Sequence, residues 1–171
     1  SPLQEGIYFH SKLERDSSAY MEQLRLNLVG DLDEIALRKA IAILIQRHDA
    51  LRTAFVDDKN GRPLQVVLKN RGVDFQQLDI SDLSPANQEE VIAAFLAKDY
   101  AHKFDLSTDL LIRVTLFKKD SFNCCLILTH YHIIMDGFCS RIIMDELRYA
   151  YQCLVDKVDV RLPPAPQYAE Y

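Results

Sequence analysis

Eight residues, His130-Tyr131-His132-Ile133-Ile134-Met135-Asp136-Gly137, bring together two imidazoles, a carboxylate and a glycine. Imidazole exchanges protons near neutral pH, so the cluster suits general acid or base work, or the orienting of a nucleophile. A histidine at a strand end is more often a hydrogen-bonded packing residue. The crowding of Asp136, Gly137 and a second histidine lifts the chemical reading, because glycine permits close backbone approach by a ligand or another element. A metal site would need His130, His132 and Asp136 to chelate together. No further His or Cys stands at ligand spacing, so no metal is expected.

Three arginines are candidate partners for Asp136. Arg47 and Arg52 lie in Arg47-His48-Asp49-Ala50-Leu51-Arg52-Thr53-Ala54-Phe55, and Arg113 interrupts an apolar segment. An aspartate buried in a core requires a cation or several donors. The plainer reading of each arginine is a packed aliphatic stem with its head in water.

These side chains need elements to hold them. Cys124 to Leu128 reads as a buried strand, and Ser140 to Leu154 repeats its apolar residues at helical spacing. If the strand persists to His132, alternation puts Leu126, Leu128, His130 and His132 on one face and Ile127, Thr129 and Tyr131 on the other. Further helices are predicted over Pro2–Ser11 with Ser1 as N-cap, from Asp33 towards His48, and over Ser84–Tyr100 with Pro85 in its first turn. Strands are predicted over Tyr20–Val29, Val73–Ile80 and Leu111–Lys118. Arg52–Val56 and Leu64–Leu68 flank Asn60-Gly61 and read as a hairpin. Leu162-Pro163-Pro164-Ala165-Pro166 reads as an extended exit strap. The alternation of helices and strands predicts an α/β fold, an α+β sandwich with a mixed sheet covered by helices.

With 171 residues, 49% of them hydrophobic, the chain can bury a core as one domain or as half of a larger one. A net charge of -5 leaves no basic stripe for nucleic acid. No run is apolar and long enough to span a bilayer, and the opening residues lack a signal segment, so a cytoplasmic protein is the expectation. Four cysteines, two of them adjacent at 124 and 125, suit neither a zinc knuckle nor a disulfide framework.

Ser1-Pro2-Leu3-Gln4-Glu5-Gly6, Arg47-His48-Asp49-Ala50-Leu51-Arg52-Thr53 and His132-Ile133-Ile134-Met135-Asp136-Gly137 resemble the first three core motifs of nonribosomal peptide synthetase condensation domains. The closing Pro166-Gln167-Tyr168-Ala169-Glu170-Tyr171 is similar to the segment leaving the N-terminal half of such domains. The resemblance implies that residues 1–171 form the first of two lobes similar to chloramphenicol acetyltransferase, with the active site in a tunnel between them. The second lobe is expected to lie outside this sequence.

The family joins a donor aminoacyl or peptidyl thioester to the amine of an acceptor aminoacyl thioester. Both ride on phosphopantetheine arms of carrier protein domains, which are implied partners together with the C-terminal lobe and a neighbouring adenylation domain. By motif, His132 is implied to be the functional histidine and Gly137 a backbone donor to the developing oxyanion. Asp136 is implied to be structural and ion-paired with an arginine, Arg47 ahead of Arg52. Tyr131 stands where the family has its first histidine and is expected to face away from His132. Phe138 and Cys139 replace the usual tryptophan and serine. The opening motif, followed by Tyr8-Phe9-His10, leans towards the subtype that accepts a D-configured donor. Competing expectations are a non-catalytic carrier-binding scaffold lobe and a free-standing acyltransferase using coenzyme A. An isolated lobe is expected to be inactive alone.

Overall fold

The structure is a computed structural model that describes residues 1–14 and 17–165. Chain order is α1 (Pro2–Leu13), β1 (Met21–Val29), α2 (Glu34–Arg47), a 3-10 turn (Asp49–Arg52), β2 (Thr53–Asp57), β3 (Pro63–Val67), β4 (Phe75–Asp79), α3 (Pro85–Ala101), β5 (Ile112–Lys118), β6 (Asn123–Tyr131) and α4 (Gly137–Val155). Each helix begins where a side-chain oxygen can satisfy an orphan backbone N–H. Ser1, Asp33, Ser84 and Asp136 accept from Gln4, Ala36, Asn87 and Cys139 respectively.

The main sheet runs β1-β6-β5-β4. β6 is antiparallel to both β1 and β5, while β4 and β5 are parallel and joined through α3. A parallel pair requires a crossover connection, and α3 supplies it here. One sheet face packs Leu126, Leu128, Val114 and Leu116 against α1, α2 and α4. The other packs Cys125, Ile127 and Phe117 against Ile92, Phe95 and Leu96 of α3. Cys124 and Cys125 fall on opposite faces, as strand alternation requires. The α/β sandwich, with a mixed sheet covered on both faces by helices, is therefore present.

β2 and β3 form a separate hairpin. At its tip the carboxylate of Asp58 accepts from Asn60 and Arg62, and Gly61 adopts φ +77°, a left-handed conformation glycine reaches without strain. Asn60 does not share that conformation, so the positive φ expected of the pair falls on the glycine alone. The exit strap is without regular structure over 161–165, and Pro166 to Tyr171 lie outside the described residues. Among the described residues, no helix is long and apolar enough to cross a membrane.

Candidate functional site

β6 ends at Tyr131 rather than His132, because Ile134 N–H turns back onto the Tyr131 carbonyl. His132 nevertheless keeps a ladder-like bond, donating its backbone N–H to Tyr20 O at 2.8 Å. Both imidazoles consequently reach the same neighbour on the edge strand. Glu22 of β1 stands directly across from His130. Its Oε2 lies 3.1 Å from His130 Nε2 and its Oε1 lies 2.7 Å from His132 Nδ1. Neither approach is aligned as a hydrogen bond, so the contacts are charge–dipole ones. Sequence reasoning missed Glu22. It has the parity of Leu24, Leu26 and Leu28, but only the β1–β6 register reveals that it faces the histidines.

His130 is 3% exposed, and burial is the main force holding its proton affinity below the ordinary histidine range. Glu22 opposes that shift and His132 adds to it. His130 is therefore neutral at physiological pH. Tyr131 faces a different cleft, with its ring 6.0 Å from Tyr20 and 6.4 Å from Phe104. Burial pushes its phenol up, so the hydroxyl stays protonated.

His132 lines an apolar cleft of about 290 Å³ that opens between α1, the 3-10 turn and the start of α4. Gln4, His48, Asp136 and Glu146 supply most of its polar groups. Gln4 is itself tied to the motif loop, donating its side-chain amide to Ile133 O at 2.9 Å. Among the described residues, no protein group engages Nε2 of His132, and no three His, Cys, Asp or Glu side chains converge to hold a metal ion.

Asp136 is not ion-paired with an arginine among the described residues. It is solvent-exposed and serves as the N-cap of α4, with Oδ1 accepting from Cys139 N–H at 2.9 Å. That backbone bond, reinforced by the Cys139 side chain and the Phe138 N–H, holds its carboxyl below the usual range despite partial desolvation. The arginines are engaged elsewhere for geometric reasons. Arg47, at the C-terminal end of α2, meets α4 at Glu146, about 15 Å along the helix from the cap. Its Nε and Nη2 donate to the two Glu146 oxygens at 2.9 and 3.1 Å, and Nη2 also reaches Pro163 O. His48 Nε2 adds a 2.7 Å contact to the same carboxylate. Burial would raise the Glu146 carboxyl, but Arg47 and His48 outweigh it and hold it down. Arg52 is spent locally on Asp49 and Leu68 O. Arg113 pairs with Asp99 at 3.1 Å beneath the Phe104 ring.

Gly137 opens α4, so its N–H is one of the donors a helix start leaves without an intrahelical partner. A Cβ built there would meet no atom within 4 Å, and the neighbouring Phe138 is 87% exposed. Packing within the described residues thus does not require glycine at this position. The open space in front of it leaves room for a ligand to approach.

A family model described as the condensation domain matches residues 1–171. The chain is 37% identical over its whole length to gramicidin S synthase 2 of Brevibacillus brevis, and it covers 4% of that protein. It is 33% identical to surfactin synthase subunit 3 of Bacillus subtilis (strain 168), again over its whole length, covering 13% of the relative. Among solved structures, the starter condensation domain of rhizomide synthetase superposes with TM-score 0.89 at 21% identity, over 99% of this chain and 42% of that one. The first condensation domain of the calcium-dependent antibiotic synthetase, bound to a substrate analogue, gives TM-score 0.85 at 21% identity, over 94% of this chain and 38% of that one. The chain therefore spans a small part of these synthetases and about two-fifths of a solved condensation-domain chain. With the motif histidine on an apolar cleft, the capped helix behind it and a family match from end to end, this chain belongs to the condensation domain family.

Proposed function

We propose that residues 1–171 are the N-terminal lobe of a domain that forms the peptide bond between a donor aminoacyl or peptidyl thioester and the amine of an acceptor aminoacyl thioester. The observation that carries this reading is His132 on an apolar cleft, with the Glu22 carboxylate 2.7 Å from Nδ1 and Nε2 left without a protein partner among the described residues. Both substrates arrive as thioesters on the phosphopantetheine arms of carrier domains. The second lobe closes the tunnel, and an adenylation domain and both carriers are neighbours in a cytoplasmic assembly. The largely apolar lining of the cleft suits an acyl thioester, which has few hydrogen-bonding groups to satisfy.

Magnitudes assign the role of His132. An α-amine with pKa about 8 is roughly one-tenth neutral at pH 7, so generating the free nucleophile costs only about 1.4 kcal/mol. Holding the amine against the thioester carbon is worth more, about 7 kcal/mol where alignment is good. His132 therefore orients the amine first. As the C–N bond forms and the C–S bond breaks, the proton released from nitrogen passes to Nε2 and then to the departing thiolate. The Gly137 N–H, at the positive end of α4, stabilises the oxyanion of the tetrahedral intermediate.

The test is dipeptidyl thioester formation by the complete domain with two loaded carrier domains, read by intact-protein mass spectrometry beside His132→Ala. Product that disappears in the variant supports the reading. Product formed at an equal rate without the imidazole overturns the role of His132. Carrier binding without any product in the unmodified domain favours a scaffold lobe instead.

A further inference from the structure

Glu22 belongs to none of the three motif segments, yet its carboxylate lies 2.7 Å from the motif histidine's Nδ1. Among the described residues no lysine or arginine pairs with it, and its two oxygens address only His130 and His132. The other carboxylates and the other imidazole on the His132 cleft are engaged elsewhere, Asp49 with Arg52. Asp136 holds the Cys139 N–H, and His48 and Glu146 hold each other together with Arg47. Resting on the reading of His132 as the reacting histidine, we propose that Glu22 is its positioning residue, fixing both the ring orientation and the nitrogen that carries the proton.

The argument is one of donors and acceptors. An ionised carboxylate carries no proton to give, so at 2.7 Å from Nδ1 its charge repels a lone pair on that nitrogen and attracts an N–H dipole, even off the line of a hydrogen bond. The proton of a neutral His132 accordingly sits on Nδ1, towards Glu22, and the Nε2 lone pair is left for the substrate amine. His130 closes the other side of the carboxylate. Being buried and neutral, it presents one ring proton and no competing charge, so Glu22 is not drawn away from His132 by a cation. The strand register fixes all three groups, since Glu22 and His130 are direct cross-strand neighbours and His132 lies one turn residue past the strand end.

The complete domain, labelled with ¹⁵N-histidine, gives the first readout through long-range ¹H–¹⁵N correlation, with the His132 signal assigned from His132→Ala. The expected result is an Nδ1-protonated His132 in the unmodified protein and loss of that preference in Glu22→Gln. The second readout is the rate of dipeptidyl thioester formation. Glu22→Gln is expected to lower kcat about tenfold, less than the roughly hundredfold loss expected on removing the imidazole, with KM for the acceptor carrier unchanged. Glu22→Asp is expected to recover part of that loss. An Nε2-protonated His132 in the unmodified protein overturns the proposal without any variant, as does a Glu22→Gln domain within twofold of the original kcat. His132→Ala at the original rate overturns the functional reading of the histidine, and this proposal with it, whatever the Glu22 variants do.

Discussion

Replacing Asp136 separates two roles that predict different energies. The structure makes it an exposed N-cap, one carboxylate oxygen holding Cys139 N–H at the start of α4. Loss of such a cap costs about 1 kcal/mol, and loss of a negative charge at a helix N-terminus about 0.5 kcal/mol. Asp136→Ala should therefore destabilise the complete domain by about 1.5 kcal/mol. Asp136→Asn keeps a capping oxygen and forfeits only the charge, so it should cost about 0.5 kcal/mol. With a urea slope near 2 kcal/mol per M, the midpoints should fall by about 0.7 and 0.2 M. A buried carboxylate paired with arginine would instead lose about 3 to 5 kcal/mol in both variants. Equal losses of that size would refute the capping argument. The pH dependence adds a check of sign. Because the folded carboxyl is held below its unfolded value near 3.9, its stabilisation is complete above that value. It disappears as pH falls through the folded range, so Asp136→Asn should narrow the stability gap between pH 6 and pH 3.

Three further outcomes are expected in the same denaturation assay. Glu146→Ala strands the Arg47 guanidinium and His48 at a site where both partners are mostly buried, and should cost about 2 kcal/mol; a change under 0.5 kcal/mol would mean the cluster carries no net stability. Gly61→Ala must hold a Cβ at φ +77° and should cost about 1 kcal/mol; no change would show that the hairpin tip relaxes freely. Burial depresses the folded proton affinity of His130, so below about pH 6.5 the unfolded chain binds the extra proton and stability falls with pH. His130→Met should reduce the loss between pH 7.5 and 5.5, and an unaltered slope would show that another group is responsible.

Local chemistry made much of this fold legible in the sequence. Ser1-Pro2, Asp33 and Ser84-Pro85 announce helix starts through short polar side chains beside apolar periodicity, and each is a cap in the structure. Asn60-Gly61 marks the hairpin because a tight turn needs a residue tolerant of positive φ. Partnership between distant charges was not legible. Nothing near Arg47 in sequence distinguishes Asp136 from Glu146, which lie on the same helix ten residues apart. The choice depends on where α2 crosses α4, a packing outcome rather than a local one. Glu22 was hidden for the same reason, since its neighbours in sequence are an ordinary alternating edge strand.

The pairing of β1 with β6 also bears on how the chain is made. The two strands lie about 100 residues apart, so at roughly 5 to 20 residues per second β1 emerges some 5 to 20 s before the strand it pairs with among the described residues. During translation it is an open edge with Leu24, Leu26 and Leu28 unburied, a template for mispairing with nascent chains on adjacent ribosomes. A docking slip of one residue would turn Glu22 to the opposite face and leave both histidines without their carboxylate. Correct cotranslational closure of this one ladder therefore decides whether a chain reaches the folded pool with its histidines already poised.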